Sequence, residues 1–202
     1  MGEPPVVRSR QVRAGDTASE RRIRHNAEEA DKLERQGYIV ERNLHKNGAF
    51  FAVIGNHHDH EISVGRIFAE NGISFTLERE GNAKIRVNGR TYILPASDGR
   101  IVGRLNDYTH EIAALEGKPD ARTVANAISH SLKPFVPDKS KTIQADIAIT
   151  IAPKGSQYHR GDIANGVKEY KRRVAEGETK ARPKLYLHVN EETRSIYRWR
   201  IK

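Results

Sequence analysis

Three acidic residues have the types and positions needed to hold a divalent metal ion. Glu61 opens a predicted helix, Asp98 lies where a strand meets a turn, and Glu111 lies in the next strand. Carboxylate oxygens suit Mg²⁺ or Mn²⁺, and such an ion polarises a phosphodiester and lowers the pKa of its bound water. The three acids would therefore suit a metal-dependent phosphodiesterase. Most pairs spaced as Asp98 and Glu111 are, however, surface acids.

The residue two positions beyond Glu111 matters for the same chemistry. Side chains alternate between the faces of a strand, so Glu111 and residue 113 point to the same face. A lysine there could share a metal-bound water with the acid. The chain instead has Ala113, which carries neither a charge nor a hydrogen-bonding group.

The acids lie within longer segments that resemble a known group of nucleases. The order of helix Glu, strand Asp and strand Glu-x-Lys resembles the PD-(D/E)XK, or restriction-endonuclease-like, nucleases. The fuller pattern resembles the nuclease domain of contact-dependent growth inhibition toxins and related phage-associated proteins. The resemblance covers roughly residues 58 to 202, and its motifs are "HEISVGRIFAENGISFTLERE", "SDGRIVG", "HEIAAL", "IQADIAITI" and "DIANGVKEY".

The resemblance implies a site and a set of partners. Glu61, Asp98 and Glu111 would be the catalytic acids that bind Mg²⁺ or Mn²⁺, and Gln144 would be a polar residue facing them from a later strand. The substrate would be RNA, with tRNA as the first expectation, or DNA. A cognate immunity protein with an acidic surface is expected. The chain would belong to a secreted or cell-surface bacterial toxin that acts in the cytoplasm of the target cell.

Ala113 departs from the family pattern, because the family has lysine there. One interpretation is that the lysine was deliberately replaced to disable a lethal nuclease, and this is the one we favour. A second is that Lys84, in the neighbouring hairpin, reaches the same place. A third is that the chain is a non-catalytic nucleic-acid-binding or assembly module on the same scaffold.

The histidine-rich segment "NHHDHE", residues 56–61, allows a different metal. Imidazoles suit Zn²⁺, so His57, His58 and His60 could form the site of a zinc hydrolase. The alternative is a polar loop leading to the helix, with His60 near Glu61 and able to touch a phosphate. His110 should point away from Glu111, to the opposite face of its strand.

Composition narrows the class of protein. The chain of 202 residues has no cysteine, which excludes a disulfide scaffold, a thiolate zinc site and a cysteine nucleophile. No apolar run approaches the roughly 18 residues of a membrane span, and the first residues lack the apolar centre of a secretory signal. The formal net charge is +9. A chain this basic favours nucleic acid as a partner.

The positive charge is concentrated towards the C-terminus. Residues 168–202 contain eleven Lys and Arg against five Asp and Glu. Tyr170, Tyr197 and Trp199 are interleaved with these cations, a mixture that suits flexible or single-stranded nucleotides. The two strand aromatics also fit half-buried positions with arginines alternating into solvent. No phosphate-binding glycine loop or nucleophile elbow occurs in the sequence.

The predicted elements give an α/β (α+β) fold with a mixed central sheet flanked by helices, of the restriction-endonuclease-like type. A first helix is expected from an N-cap at Ser19 to Gly37, a second from near His60, and a hairpin at Asn88-Gly89. Late alternation of strands and helices predicts that part of the sheet is parallel. We expect a flexible lead-in over 1–17, a helix and strand segment over 18–57 and the nuclease-like domain over 58–202. The oligomeric state stays open.

Overall fold

The fold is described from a computed structural model of the chain. It describes residues 17–79, 82–87, 89–95, 97–103, 105–130, 145–179 and 183–201. The helices are α1 (Ala18–Arg35), α2 (Asp59–Glu70), α3 (Ala121–His130) and α4 (Arg160–Ala175). The strands are β1 (Ile39–Glu41), β2 (Phe51–Val53), β3 (Phe75–Leu77), β4 (Asn82–Val87), β5 (Arg90–Pro95), β6 (Gly99–Ile101), β7 (Tyr108–Ala114), β8 (Ile147–Ala152), β9 (Leu185–Asn190) and β10 (Ser195–Trp199).

Eight strands form one mixed sheet in the order β1-β2-β3-β6-β7-β8-β9-β10. The pairs β2–β3, β7–β8 and β8–β9 are parallel, and the other pairs are antiparallel. Strands β4 and β5 form a separate hairpin, with Gly89 in its turn at a φ of 78°. The predicted α/β class, with a mixed sheet flanked by helices and partly parallel, is confirmed.

Helices cover both faces of the sheet because its central strands bury side chains on both sides. On one face α2 packs through Phe68 against Phe75 and Ile149. On the other, α3 and α4 pack together over Ala148, and α1 packs over Ala52. Strand β8 is buried along its whole length, as expected for a central parallel strand.

The N-cap of the first helix lies two residues before the predicted one, so the assignment to Ser19 was wrong. Thr17 is the N-cap, and its hydroxyl accepts a hydrogen bond from the Glu20 N–H at 3.2 Å. The Glu20 carboxylate accepts in return from the Thr17 N–H at 2.7 Å, which completes a capping box. Gly37 ends this region with a φ of 90°, as its predicted position after the helix requires.

Two short strands that the sequence pattern did not indicate extend the sheet. They are β2 and β6, each of three residues. Through β2, the segment before the predicted boundary at residue 58 pairs with the strands after it. The predicted lead-in lies outside the described residues, apart from Thr17. No helix in the described part of the chain is long and apolar enough to cross a membrane.

Candidate active site

Asp98 and Glu111 come together where β6 meets β7. The Ile112 N–H donates to Asp98 Oδ2 at 2.6 Å, and the two carboxyl groups share a hydrogen bond. Gly99, the residue after Asp98, packs against β3, where a Cβ on it would lie 1.9 Å from the Thr76 carbonyl oxygen. Only glycine therefore allows β6 to lie this close to β3 directly after Asp98.

Glu61 completes the acidic group from the first turn of α2. It is 8% exposed, and its Oε2 accepts a hydrogen bond from the His58 N–H at 2.9 Å. This contact is half of a capping box, so Glu61 also stabilises the start of its helix. Its negative charge raises the pKa of both Asp98 and Glu111. The three predicted acids therefore lie within electrostatic reach of one another.

Burial, and then the charge of neighbouring carboxylates, raise the pKa of Asp98 and of Glu111. Desolvation is the largest cause of the raised pKa of Asp98, which is opposed by the hydrogen bond from Ile112. Desolvation also dominates for Glu111, and the Asp98 charge then raises its pKa further. In their shared hydrogen bond the Glu111 carboxyl donates and the Asp98 carboxylate accepts. The pair thus resists carrying two negative charges at once.

His57 contacts one of these acids, and the sequence prediction gave it no part in a carboxylate site. Its Nδ1 lies 3.3 Å from Glu61 Oε2 and its Nε2 lies 3.1 Å from the Ile54 carbonyl oxygen. Both partners are acceptors. The ring is therefore held between the first turn of α2 and the segment that follows β2. Its electrostatic effect on Asp98 is to lower the pKa of that carboxyl.

The zinc hypothesis requires His57, His58 and His60 to face one ion, and no three such side chains in the described residues are close enough together to hold one. His58 and His60 stack on each other with their ring centroids 5.4 Å apart. His57, not His60, is the residue that contacts Glu61. His110 lies on the opposite face of β7, as predicted, where it is fully buried against Phe75. Burial lowers the pKa of His110 to about 3, so it stays neutral.

Position 113 is next to a buried polar cluster that the sequence analysis also missed. In the parallel register of β7 and β8, Ala113 lies beside Thr150. The Thr150 hydroxyl lies 2.6 Å from the Tyr186 hydroxyl and 3.0 Å from His188 Nδ1. A sequence signal existed, because Thr150 and His188 each interrupt a strand of otherwise apolar residues. A lysine at position 113 would extend along the face of the sheet that holds this cluster and Glu111.

The structure does not describe the side chains of two other residues that were predicted to contribute to the site. Gln144 lies outside the described residues. Lys84 belongs to β4, within the separate hairpin, and its side chain is likewise outside what is described. The proposal that Lys84 replaces the missing lysine therefore stays a prediction.

The basic C-terminal region is less available for phosphate contact than its composition indicates. Arg172 forms ion pairs with Glu169, Glu176 and Glu178, and Arg173 pairs with Glu169. These contacts hold the guanidinium groups against their own helix.

The C-terminal aromatic residues are also partly engaged. Tyr170 is fully buried, so the prediction that it takes part in nucleotide stacking was wrong. Tyr197 and Trp199 are half-buried and pack beside His188 and Tyr186, respectively. The Arg160 guanidinium lies 5.5 Å from the centre of the Tyr197 ring. The half-buried alternative for the two strand aromatics is therefore the arrangement found.

Comparison with known proteins adds no assignment. A scan against protein-family models, a search of curated protein sequences and a search of solved structures each found no match to this chain.

The chemistry of the donors fits a hard divalent cation. Within the described ranges, no three His, Cys, Asp or Glu side chains are close enough together to hold an ion as they stand. Asp98 and Glu111 nevertheless lie beside each other, and burial is the main cause that raises the pKa of both, with the charge of a neighbouring carboxylate adding to it. A cation bound there would stabilise their charged forms. Asp98 and Glu111 would hold Mg²⁺ or Mn²⁺, with Glu61 contributing charge from α2.

Proposed function

We propose that this chain is a metal-dependent nuclease domain of the restriction-endonuclease-like type, with a toxin role and RNA or DNA as substrate. The observation that carries the proposal is the meeting of Asp98 and Glu111, with Glu61 in electrostatic range. Glu61 lies far from the other two acids in the sequence, and a fold has no structural need to concentrate three partly buried acids. Perturbed carboxyl groups at one place are typical of functional sites.

Each residue of the site would have a separate role in binding the cation or in positioning the acids. Asp98 and Glu111 bind the cation, and Glu61 adds negative charge while fixing the start of α2. A divalent ion bound there would polarise the scissile phosphate and lower the pKa of the attacking water. His57 holds Glu61 in place through Nδ1 and is itself anchored to the Ile54 carbonyl. The chain's positive charge favours the approach of a polyanion.

Toxin function brings further expectations. A nuclease that kills cells requires an immunity protein, and an acidic one would compete with nucleic acid for a basic surface. RNA, and tRNA within it, remains the first expected substrate. Delivery from a secreted or cell-surface bacterial protein into a target cytoplasm belongs to the same proposal.

Ala113 favours a second candidate function, a nucleic-acid-binding or assembly module without catalysis. The chain keeps the acids but lacks a lysine beside them, and Arg172 and Arg173, two of the basic C-terminal residues expected to contact phosphate, are ion-paired. Such a module would bind nucleic acid in the presence or absence of Mg²⁺ and would cut neither RNA nor DNA.

Restoring the lysine separates the two candidates. Ala113→Lys should cleave total tRNA or plasmid DNA in Mg²⁺ and not in EDTA, because the ammonium group supplies the missing positive charge at the scissile phosphate. Adding Asp98→Ala to Ala113→Lys should abolish cleavage. Thr109→Lys, on the same strand and face but on the other side of Glu111, is the matched control for added charge and should not cleave.

Binding without cleavage by Ala113→Lys, on both substrates and in Mg²⁺ and Mn²⁺, would contradict the nuclease proposal and support the module. Cleavage that persists in EDTA, or after Asp98→Ala, would show that a contaminating or different activity was being measured. Mapping the cut ends on total cellular nucleic acid then identifies the substrate.

A further inference from the structure

A row of side chains crosses the sheet from the candidate active site to β10, on the face that carries Glu111. Ala113 of β7 lies beside Thr150 of β8. Thr150 lies beside His188 of β9, which in turn lies beside Tyr197 of β10. Paired residues point to the same face of a sheet, so Tyr197 shares a face with Glu111. Three strand spacings, or about 14 Å, separate Ala113 from Tyr197.

The inner residues of this row hold the Tyr197 ring in place. The His188 ring stacks beside it with the ring centroids 6.3 Å apart. His188 is fixed in turn, because its Nδ1 lies 3.0 Å from the Thr150 hydroxyl and both residues are buried. Burial lowers the pKa of His188 to about 4, so this residue stays neutral. The row therefore positions an aromatic ring and adds no charge of its own.

Arg160, the first residue of α4, supplies a cation at the end of the row. Its guanidinium lies 5.5 Å from the centre of the Tyr197 ring, within the range of a cation–π contact. Arg160 is exposed, and it forms no ion pair or hydrogen bond with another residue in the described part of the chain. The next residue is Gly161, and no described atom from elsewhere in the chain lies within 4 Å of a Cβ built on it. The surface beside Arg160 is therefore open.

Two other arginines of the same helix are engaged by acids. Arg172 and Arg173 both pair with Glu169. Asp162, in the first turn, accepts a hydrogen bond from the backbone at the start of the helix and does not pair with Arg160. Arg160 therefore keeps its hydrogen-bonding groups for a ligand, and Tyr197 limits where they can point.

We propose that Arg160, held over Tyr197, binds a backbone phosphate of a nucleic acid that extends from the acids across the first turn of α4. The inference rests on nucleic acid being the partner, which both candidate functions share. The contact falls on Arg160 because Thr150 and His188 are buried. A guanidinium matches the geometry of phosphate, and a phosphate contact positions the backbone without reading the bases. Arg160 should therefore raise affinity for every sequence alike.

Binding measured in EDTA tests this role separately from cleavage. The probes are a short fluorescein-labelled RNA of mixed sequence and a DNA of the same sequence, followed by fluorescence anisotropy. Between about 50 and 200 mM salt, Arg160→Gln should weaken binding and reduce the slope of log affinity against log salt by about 0.7, the value for one phosphate contact on a single strand. Arg198→Gln is the matched control, because Arg198 is also exposed and follows Tyr197 but points to the opposite face of β10. Its slope should equal that of the parent chain.

Tyr197 is tested as a positioning residue. Tyr197→Leu removes the ring and should weaken binding about twofold to fivefold, which corresponds to one exposed cation–π contact. Tyr197→Phe keeps the ring and should bind as the parent chain does. Thermal unfolding of the two arginine variants should match the parent chain, which confirms that their folds are intact.

Several results would overturn the proposal. These are an unchanged salt slope in Arg160→Gln, an equal fall in Arg198→Gln, and no saturable binding of either probe by the parent chain. Equal weakening in Tyr197→Leu and Tyr197→Phe would overturn the role of the ring. Cleavage by Ala113→Lys without any effect of Arg160→Gln on binding would overturn this inference alone. An effect of Arg160→Gln on binding without cleavage by Ala113→Lys would support it and leave the non-catalytic module as the function.

Discussion

Replacing Glu111 with glutamine should stabilise the protein at neutral pH while removing its response to Mg²⁺. Burial and the Asp98 charge raise the pKa of Glu111 far above that of an unfolded glutamate. Above the ordinary carboxyl value the unfolded chain has lost this proton, whereas the folded protein keeps it. Stability therefore falls as pH rises, by about 1.4 kcal/mol per pH unit for one retained proton. Glutamine carries no proton to lose and can still donate to Asp98.

The size of the difference follows from the pH window. The free energy of unfolding of Glu111→Gln minus that of the parent chain should increase by about 3 kcal/mol between about pH 5 and pH 7. Below the ordinary carboxyl value the two proteins should be equally stable, because Glu111 is then protonated in both states. Urea unfolding at several pH values measures this gap directly.

Mg²⁺ provides the second arm of the same experiment. Millimolar Mg²⁺ should raise the melting temperature of the parent chain, and more so at higher pH, because the ion competes with the retained proton. Glu111→Gln should show no such rise. The matched control is Glu116→Gln, an exposed position just after the same strand, which should behave as the parent does. A gap that stays constant from about pH 5 to pH 7 would refute the proposed proton sharing.

Other substitutions test the parts that position the site. His57→Ala should weaken the Mg²⁺-dependent rise in melting temperature, and His57→Asn, which keeps a donor, should restore part of it; equal loss in both would contradict a positioning role. Gly166→Ala should cost about 1–3 kcal/mol in urea unfolding, because its Cβ would lie 2.3 Å from a Val124 carbon, while Gly161→Ala, in open space, should change little. Thr150→Val should cost about 1–3 kcal/mol by leaving buried hydroxyl and imidazole groups without a partner, and an unchanged stability would show that water replaces the hydroxyl.

The helices and the longer strands were predictable because their signals are local. Short apolar segments predicted β7, β9 and β10, a continuous apolar run predicted β8, and helical spacing predicted α1 to α4. The Asn-Gly pair predicted the hairpin in the same way. Strands β2 and β6 were not predicted. Each has only three residues, and each is held in the sheet by its neighbours.

The wrong predictions at individual residues arose where residue type alone does not decide which side chain makes a contact. Thr17 and Ser19 are both good N-caps, and the choice of Thr17 depends on the reciprocal bond with Glu20. Tyr170 sits among lysines and arginines, yet helical geometry turns its ring into the core between α4 and the sheet. His57 and His60 have the same chemistry, and only the path of the loop before α2 decides which one reaches Glu61.

The sequence by itself determined the residue types available for chemistry, the basic charge, the absence of cysteine chemistry and the α/β class. These follow from composition and from periods of two and 3.6 residues, which neighbours along the chain define. Tertiary structure alone decided that Asp98 and Glu111 lie beside each other with Glu61 in electrostatic range, and that Thr150 meets Tyr186 and His188. Each of these groupings joins different strands or a strand and a helix, so it depends on strand order and register, which neighbours along the chain do not define.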